Sequence, residues 1–340
     1  MIKLFFVIMI FTSSLLSITI QDMFDRKVEI KDTKKIVCLG PGALRLVSYL
    51  NLHENIVGIE KLEKKYDLKA PYRAIFNKAT IKSLPVVGQG GPGKMPNLET
   101  LISLNPDVIF SSFLSKDQVE LIQKKTKIPV IALSYGATYG GVKKDSKIQA
   151  IKKSLKLIAK ITQKESRATN LIEFINRQEK ELNSLTLTNK KVYIGGVGYK
   201  GAQGIISTES NYPSFELLNL KNDILKNKKG HFFINKEALI TYNPQIIFLD
   251  YLSKKIINED VKKNKNIFDS ITAFKEKQVY WLYPYNFYNT NLENVLINSW
   301  LIASYFQKDI NFQTKQKEIY EMFLGEKGFE VFKKDIPYKI

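Results

Sequence analysis

Cysteine is nearly absent from this 340-residue chain: Cys38 is the only one, so no internal disulfide can form. Histidine is almost as scarce, with His53 and His231 alone. No Cys cluster and no HExxH-like spacing occurs, so a site for a bare metal ion built from His or Cys is not expected. Arginine is rare too, limited to Arg26, Arg45, Arg73, Arg167 and Arg177. The remaining positive charge is Lys, and it brings the formal net charge to +19. Such a charge would suit an anionic partner. Yet the lysines are spread along the whole chain beside many Asn and Ile, as A/T-rich coding produces. No dense basic tract is interleaved with aromatics, so nucleic acid is not an expected partner.

Long apolar runs are missing everywhere except at the start. Lys3 precedes Leu4-Phe5-Phe6-Val7-Ile8-Met9-Ile10-Phe11, and small polar residues follow. A basic flank, a short apolar run and a small-residue exit describe a cleaved export signal. The run falls short of the roughly 20 apolar residues that span a bilayer. Ser17-Ile18-Thr19 offers the exit, so 1–19 reads as signal peptide with a mature start near Ile20. Cys38 sits inside Lys35-Ile36-Val37-Cys38-Leu39, which reads as a buried strand and lies too deep for a lipidation site. The expectation is an exported, unlipidated monomer in a Gram-negative periplasm.

What the chain does have is an internal echo. Asn97 to Phe110 reads NLETLISLNPDVIF, and Asn235 to Phe248 reads NKEALITYNPQIIF. The two align without a gap. Each parses as an Asn-capped helix, an Asn-Pro stop and a β-branched strand. Glu99 and Glu237 fall in the first turn, where the helix dipole favours a carboxylate. One repetition at such distance is no solenoid. It implies two similar lobes, which 340 residues comfortably supply, and therefore a cleft.

Strands and helices alternate through most of the chain, as in a parallel sheet covered by helices. Strands are expected at Lys35–Leu39, Ile56–Glu60, Val108–Phe110, Val130–Leu133, Lys191–Ile194 and Val279–Leu282. Asp22 to Ile30 reads as a short hairpin arm. From Asp145 to Leu185 there is no Gly or Pro, and apolar residues recur at helical spacing. The expected fold is α/β: two Rossmann-like lobes with mostly parallel sheets joined by a long connector helix. The lobes are 20–145 and 189–340, with the C-terminal helices in the second, and 146–188 is the connector. Bending a helix strains its hydrogen bonds, so only small lobe closure is expected.

Several phrases together resemble one family. They are Asp22-Met23-Phe24-Asp25-Arg26-Lys27-Val28, Lys35-Ile36-Val37 with Gly40-Pro41, Ile56-Val57-Gly58-Ile59, Pro96-Asn97-Leu98-Glu99 with Asn105-Pro106-Asp107-Val108-Ile109, and Ser207-Thr208-Glu209-Ser210. The chain resembles the helical-backbone (class III) periplasmic solute-binding proteins of ferric-siderophore, haem and vitamin B12 ABC importers. The resemblance implies a non-enzymatic protein with no resident cofactor that hands its ligand to a dimeric inner-membrane ABC permease. By motif position, Glu99 and Glu237 are the implied permease-docking residues. Helix-dipole capping explains them as well, and the two roles are compatible.

Ligands of such folds sit at the carboxyl ends of the strands. The loops there are Gly40–Gly42 with Arg45, Glu60 to Arg73, Gln89–Lys94, Ser111–Phe113, Tyr135–Tyr139, Gly198–Gln203, Asp250–Tyr251 and Tyr283–Asn291. Candidate ligand contacts are Arg45, Arg73, Gly91, Lys94, Tyr135, Tyr199, Lys200, Tyr283, Tyr285, Asn286 and Tyr288. Tyr and Asn suit a flat ligand that is apolar on its face and polar at its rim, though an aromatic loop capping the core reads the same way. An Arg fork grips carboxylate or catecholate oxygens, though Arg45 and Arg73 could equally be solvated helix residues. His53 and His231 fall outside these loops and read as surface residues. Gly88–Gly93 and Gly196–Gly201 both fit G-x-G-x-x-G, but neither runs straight into a helix, so nucleotide binding is not expected.

A metal that arrives inside its own chelate needs aromatic walls and cationic donors, not protein ligands. The leading expectation is a metal chelate, foremost a ferric siderophore. Haem, cobalamin or a nickel chelate such as nickel-histidine is the alternative. A two-domain α/β enzyme is the competitor from another class. It would need a base or nucleophile in the cleft, where only Glu60 and Asp250 offer carboxylates.

Overall fold

The computed structural model describes residues 17–64, 70–136, 145–187, 189–225 and 230–332. Most of the expected signal segment and positions 137–139 of the loop after Tyr135 lie outside them. The described chain opens with an antiparallel hairpin, β1 (Ile18–Gln21) and β2 (Lys27–Ile30). Asp22 closes its turn by accepting the backbone N–H groups of Phe24 (2.9 Å) and Arg26 (3.1 Å) and pairing with the Arg26 guanidinium at 2.6 Å. The same carboxylate accepts from the Ala132 N–H at 3.1 Å, which stitches the hairpin to the sheet edge. The ladder begins at Ile18, so the arm is longer than expected and reaches into the segment read as signal peptide.

Next come β3 (Ile36–Leu39), β4 (Ile56–Glu60), β5 (Val86–Gly88), β6 (Val108–Ser111) and β7 (Val130–Ala132). They form one parallel sheet in the order β5-β4-β3-β6-β7. Cys38 is buried in β3, as its apolar neighbours required. Further on lie β8 (Val192–Gly195), β9 (Ser207–Glu209), β10 (His231–Phe233), β11 (Ile246–Asp250) and β12 (Val279–Leu282). Strands β12-β11-β8 make a second parallel sheet, while β9 and β10 pair antiparallel beside it.

The sequence echo is a structural echo. Asn97 accepts the Thr100 N–H at 2.9 Å, and Asn235 accepts the Ala238 N–H at 2.7 Å. Both helices, Leu98–Leu104 and Lys236–Tyr242, end on an Asn in the left-handed region (Asn105, φ 43°; Asn243, φ 46°). Asn tolerates that conformation better than most residues, and Pro follows because it cannot continue the helix. The agreement extends beyond the aligned residues. Lys35 reaches the Leu104 carbonyl at 3.4 Å, and Lys191 reaches the Tyr242 carbonyl at 3.3 Å. Each cation faces the negative end of its helix. Each lobe thus repeats strand, helix, strand with the same terminal bonds.

Two helices separate the sheets in sequence, Lys147–Thr162 and Glu165–Asn183, with Gln163 left-handed (φ 55°) between them. The C-terminal helical segment Phe312–Phe332, kinked at Gly325 (φ 70°), differs from expectation. It packs back onto the first half of the chain, against the 3-10 helix Pro71–Ile75, as well as against its neighbour Leu292–Phe306. Phe323 stacks edge-on against both Tyr49 (4.9 Å) and Phe174 (6.5 Å). Arg167 donates to the carbonyls of Tyr49, at 2.9 Å, and of Met322. The apolar face that drives this packing is shared among distant segments, so no local pattern announces it. The two sheets are therefore tied by the connector helices and by a C-terminal strap. Small-angle scattering should register no large compaction on ligand addition, and a marked fall in radius of gyration would contradict this.

Candidate functional site

The strand ends place the expected loops together. Gly40 follows β3 with φ +81°, and a Cβ there would lie 1.9 Å from the Ser112 carbonyl, so only glycine lets the β3 and β6 loops approach. Gly196 holds the corresponding place after β8 (φ +71°), against Ser253 and Ile257.

The loop Tyr283–Asn291 leaves β12 and crosses onto the first lobe. Arg45 donates to the carbonyls of Phe287 (2.9 Å) and Tyr288 (3.3 Å) and to Asn291 Oδ1 (2.8 Å). Its guanidinium lies 4.7 Å above the Tyr72 ring, a favourable cation–π distance. The Tyr288 hydroxyl donates to Glu60 (2.7 Å) and accepts the Gly91 N–H (2.8 Å). Asn289 donates to the Pro41 carbonyl at 3.1 Å. On its other side the loop meets the second lobe, where Asn286 donates to the Gly198 carbonyl at 3.1 Å.

Neither Arg45 nor Arg73 is a solvated helix residue; both are buried. Arg73 pairs with buried Glu63 at 2.7 Å and lies 5.8 Å from the Phe287 ring centre. Glu293 is buried near Arg45 and bonded by the Tyr49 hydroxyl, and burial raises its pKa. The Tyr72 hydroxyl donates to Glu63 at 2.7 Å. The Arg73 fork is thus engaged by the protein's own carboxylate, whereas Arg45 bonds through Nη2 alone and its Nε and Nη1 are buried without a hydrogen bond. Sequence reading missed Glu63 and Glu293, since nothing local ties either to an arginine.

A second cluster forms around β9 and β10. Lys147, at the start of the connector, pairs with Glu209 at 2.6 Å and reaches the Tyr285 hydroxyl at 3.1 Å. Tyr285 in turn donates to Glu209. Its hydroxyl pKa is pushed far up by burial, reinforced by the adjacent carboxylate. His231 corrects the expectation of a plain surface residue. It is half-buried, bonded to Ser207 Oγ at 2.7 Å, and stacked face to face on Tyr199 at 4.5 Å. Burial lowers its pKa. Phe233 packs edge-on against His231 at 4.9 Å and is 53% exposed. Its register beside β9 brings His231 next to a predicted loop from which it is remote in sequence.

The other expected contacts fall in different places. Tyr135 is buried and donates to the Gly42 carbonyl at 2.8 Å. Lys94 is exposed beside Gly91, and Lys200 is exposed with its ammonium 5.6 Å from the Tyr199 ring centre. Tyr283 does not join either group. It is buried, and its hydroxyl accepts from Gln316 of the C-terminal helix at 2.6 Å. Glu99 and Glu237 are both exposed, and among the described residues neither is ion-paired.

This arrangement, two pseudo-symmetric α/β lobes with converging strand ends and a helical connector, defines a solute-binding protein. The profile of the periplasmic binding protein family matches residues 36–285, and the chain belongs to that family. It is similar to the molybdate-binding protein MolA of Haemophilus influenzae, with 23% identity over 305 residues, 80% of this chain and 79% of that one. The molybdate-bound structure of MolA aligns at TM-score 0.69 and 19% identity, covering 90% of this chain and 97% of that one. A periplasmic solute-binding protein of Veillonella parvula aligns at TM-score 0.71 and 20% identity, covering 91% and 93%. Helicobacter pylori CeuE with a nickel–histidine complex aligns at 0.64 and 21%, covering 93% and 99%. The protein is a non-enzymatic periplasmic binding component of an ABC importer, whose permease receives the ligand. Among the described residues no helix is long and apolar enough to cross a membrane.

Two buried carboxyls make this site sensitive to pH. Burial pushes Glu60 up to about 7, against the pull of its bonds from Tyr288 and Gly40. Burial pushes Asp250 up to about 7 as well. Both hold protons more tightly folded than unfolded. The stability they lend is complete below the unfolded pKa values of about 4 and is lost as pH rises through about 7. Glu60→Gln stays neutral, so its melting temperature should gain on wild type as pH rises from about 5 to about 8. Calorimetric melts check this; a difference flat across that range would mean that Glu60 ionises freely in the folded protein.

Proposed function

We propose that the protein captures a metal chelate, foremost a ferric siderophore, between its lobes and hands it to the inner-membrane permease. One observation carries the reading: an open aromatic wall of Tyr199, His231 and Phe233 stands at the strand ends, with the Lys200 ammonium beside it. Such a wall offers π faces to a flat ligand and a cation to its acidic rim. Lys94 adds a second exposed cation, and Asn286 and Tyr288 are half-buried in the loop after β12. Among the described residues no group of three or more His, Cys, Asp or Glu could hold a bare ion. On this reading 1–19 are removed on export, 20–145 and 189–340 act as lobes about the 146–188 connector, and the monomer works unlipidated in the periplasm.

A compact oxoanion such as molybdate is the second reading. It is favoured by Arg45, whose Nε and Nη1 are buried without a hydrogen bond, and by the likeness to MolA. Native mass spectrometry against ferric catecholates, haem, nickel–histidine, molybdate and free Fe3+ separates the two. One intact ferric chelate per chain is the expected result. Molybdate alone would install the second reading, and bare metal without chelator would overturn both. Glu99→Ala/Glu237→Ala should keep ligand binding yet lose uptake, because exposed carboxylates orient and steer a partner more than they add affinity. Unchanged uptake would refute their docking role.

A further inference from the structure

The two lobes also meet through a pair of helices. Arg45 and Tyr49 stand one turn apart on the helix Ala43–Tyr49 of the first lobe. Asn291 precedes the helix Leu292–Phe306 of the second lobe, and Glu293 lies in its first turn. Arg45 Nη2 donates to Asn291 Oδ1 at 2.8 Å, and the Tyr49 hydroxyl donates to Glu293 Oε2. All four side chains are closed to solvent. Arg45 and Glu293 nevertheless do not bond each other. Nε and Nη1 of Arg45 and Oε1 of Glu293 are buried without a hydrogen bond. The two groups are near enough to feel each other's charge: burial raises the Glu293 pKa, and the guanidinium opposes that rise.

A buried polar atom that has lost its hydration and gained no partner is costly, and folded proteins keep few of them. Here two donors and one acceptor are left over at one junction. Nη2 and Oε2 are held by neighbours on the facing helices, which leaves Nε, Nη1 and Oε1 to the space between. The Tyr72 ring covers a face of the guanidinium at 4.7 Å. The Tyr135 hydroxyl, which donates to the Gly42 carbonyl at 2.8 Å, adds an acceptor on the same side of the first lobe. An occupant must accept from arginine N–H groups and donate to a carboxylate oxygen. An anion would leave Glu293 Oε1 without a donor and be repelled by it. A cation would be repelled by the guanidinium. Water does both, and buried water with about three such partners is a regular part of protein interiors.

We propose that ordered water bridges Arg45 to Glu293, in a hydration site closed between the two lobes. The Arg45 N–H groups donate to this water, and it donates to Glu293 Oε1. The free donors of Arg45 then serve the lobe junction and not the cargo. The oxoanion reading claims the same donors, so the two exclude each other; the chelate reading is independent of both. A water bridge is nearly as good as a direct bond. It can also swing as the lobes shift, whereas a direct ion pair would fix the distance between the two helices.

The test is a high-resolution crystal structure of the ligand-free protein, grown with bromide in place of chloride, and a second after soaking in molybdate. The expected result is water density within hydrogen-bond distance of Glu293 Oε1 and of Arg45 Nε or Nη1. It should carry no anomalous signal and survive the soak. A bromide peak at these donors would make this an anion site and overturn the proposal. Molybdate there would overturn it in favour of the oxoanion reading. A direct Arg45–Glu293 pair, or no density between them, would overturn it as well. Magnetic relaxation dispersion of the water signal gives a second readout in solution. Glu293→Met keeps the side-chain length and removes the acceptor, so the contribution of long-lived internal water should fall below wild type. An unchanged contribution in the folded variant would contradict the bridge.

Discussion

The fully buried guanidinium of Arg45 governs how the two halves of this protein meet. Taking such a cation out of water costs several kcal/mol even after relaxation. The protein offsets that cost with the Phe287 carbonyl, the Asn291 amide oxygen and the Tyr72 ring face. Two of these three come from the loop after β12. Arg45 therefore keeps the hydrogen bonds of its Nη2 only while that loop lies across the first lobe, and its Nε and Nη1 have none. Tyr288 secures the same loop through Glu60 and Gly91. The loop belongs to the second lobe by sequence and is hydrogen-bonded to both, to the first through Tyr288 and Asn289 and to the second through Asn286.

That constraint shapes the binding surface. Of the deep arginines, Arg73 is occupied by Glu63 and Arg45 is held by the loop through Nη2. What remains open is shallower: the Tyr199–His231–Phe233 wall with Lys200 and Lys94. A ligand that needs the arginines must displace the loop, whereas one that needs π faces and ammonium groups can use the wall directly. The C-terminal strap through Phe323 limits how far the lobes can separate to change this.

The repeated unit was legible because its signals are local. An Asn cap, an Asn-Pro stop and a β-branched run lie within fourteen residues, and both copies fold as they read. The buried parallel strands were legible for the same reason. Strands β9 and β10 were not, being three residues each and without alternation. The helices between Lys254 and Lys275 were hidden by Lys- and Asn-rich sequence with few apolar residues. His231 was misplaced because its position depends on the pairing with β9. Glu63, Glu293 and Lys147 gave no signal at all, since each finds its partner only after the chain folds. The shared pattern located the lobes, and the unshared loops, which carry the chemistry, needed the tertiary structure.

Hydrogen–deuterium exchange in the ligand-free protein tests the grip of the first lobe on this loop most directly. The Gly91 amide donates to Tyr288 across the crossing, and the Phe287 and Asn291 amides donate within the loop that Arg45 holds. They should exchange as slowly as the neighbouring sheet, since opening them would strand a buried guanidinium. Fast exchange at these amides, with the sheet still protected, would contradict the account.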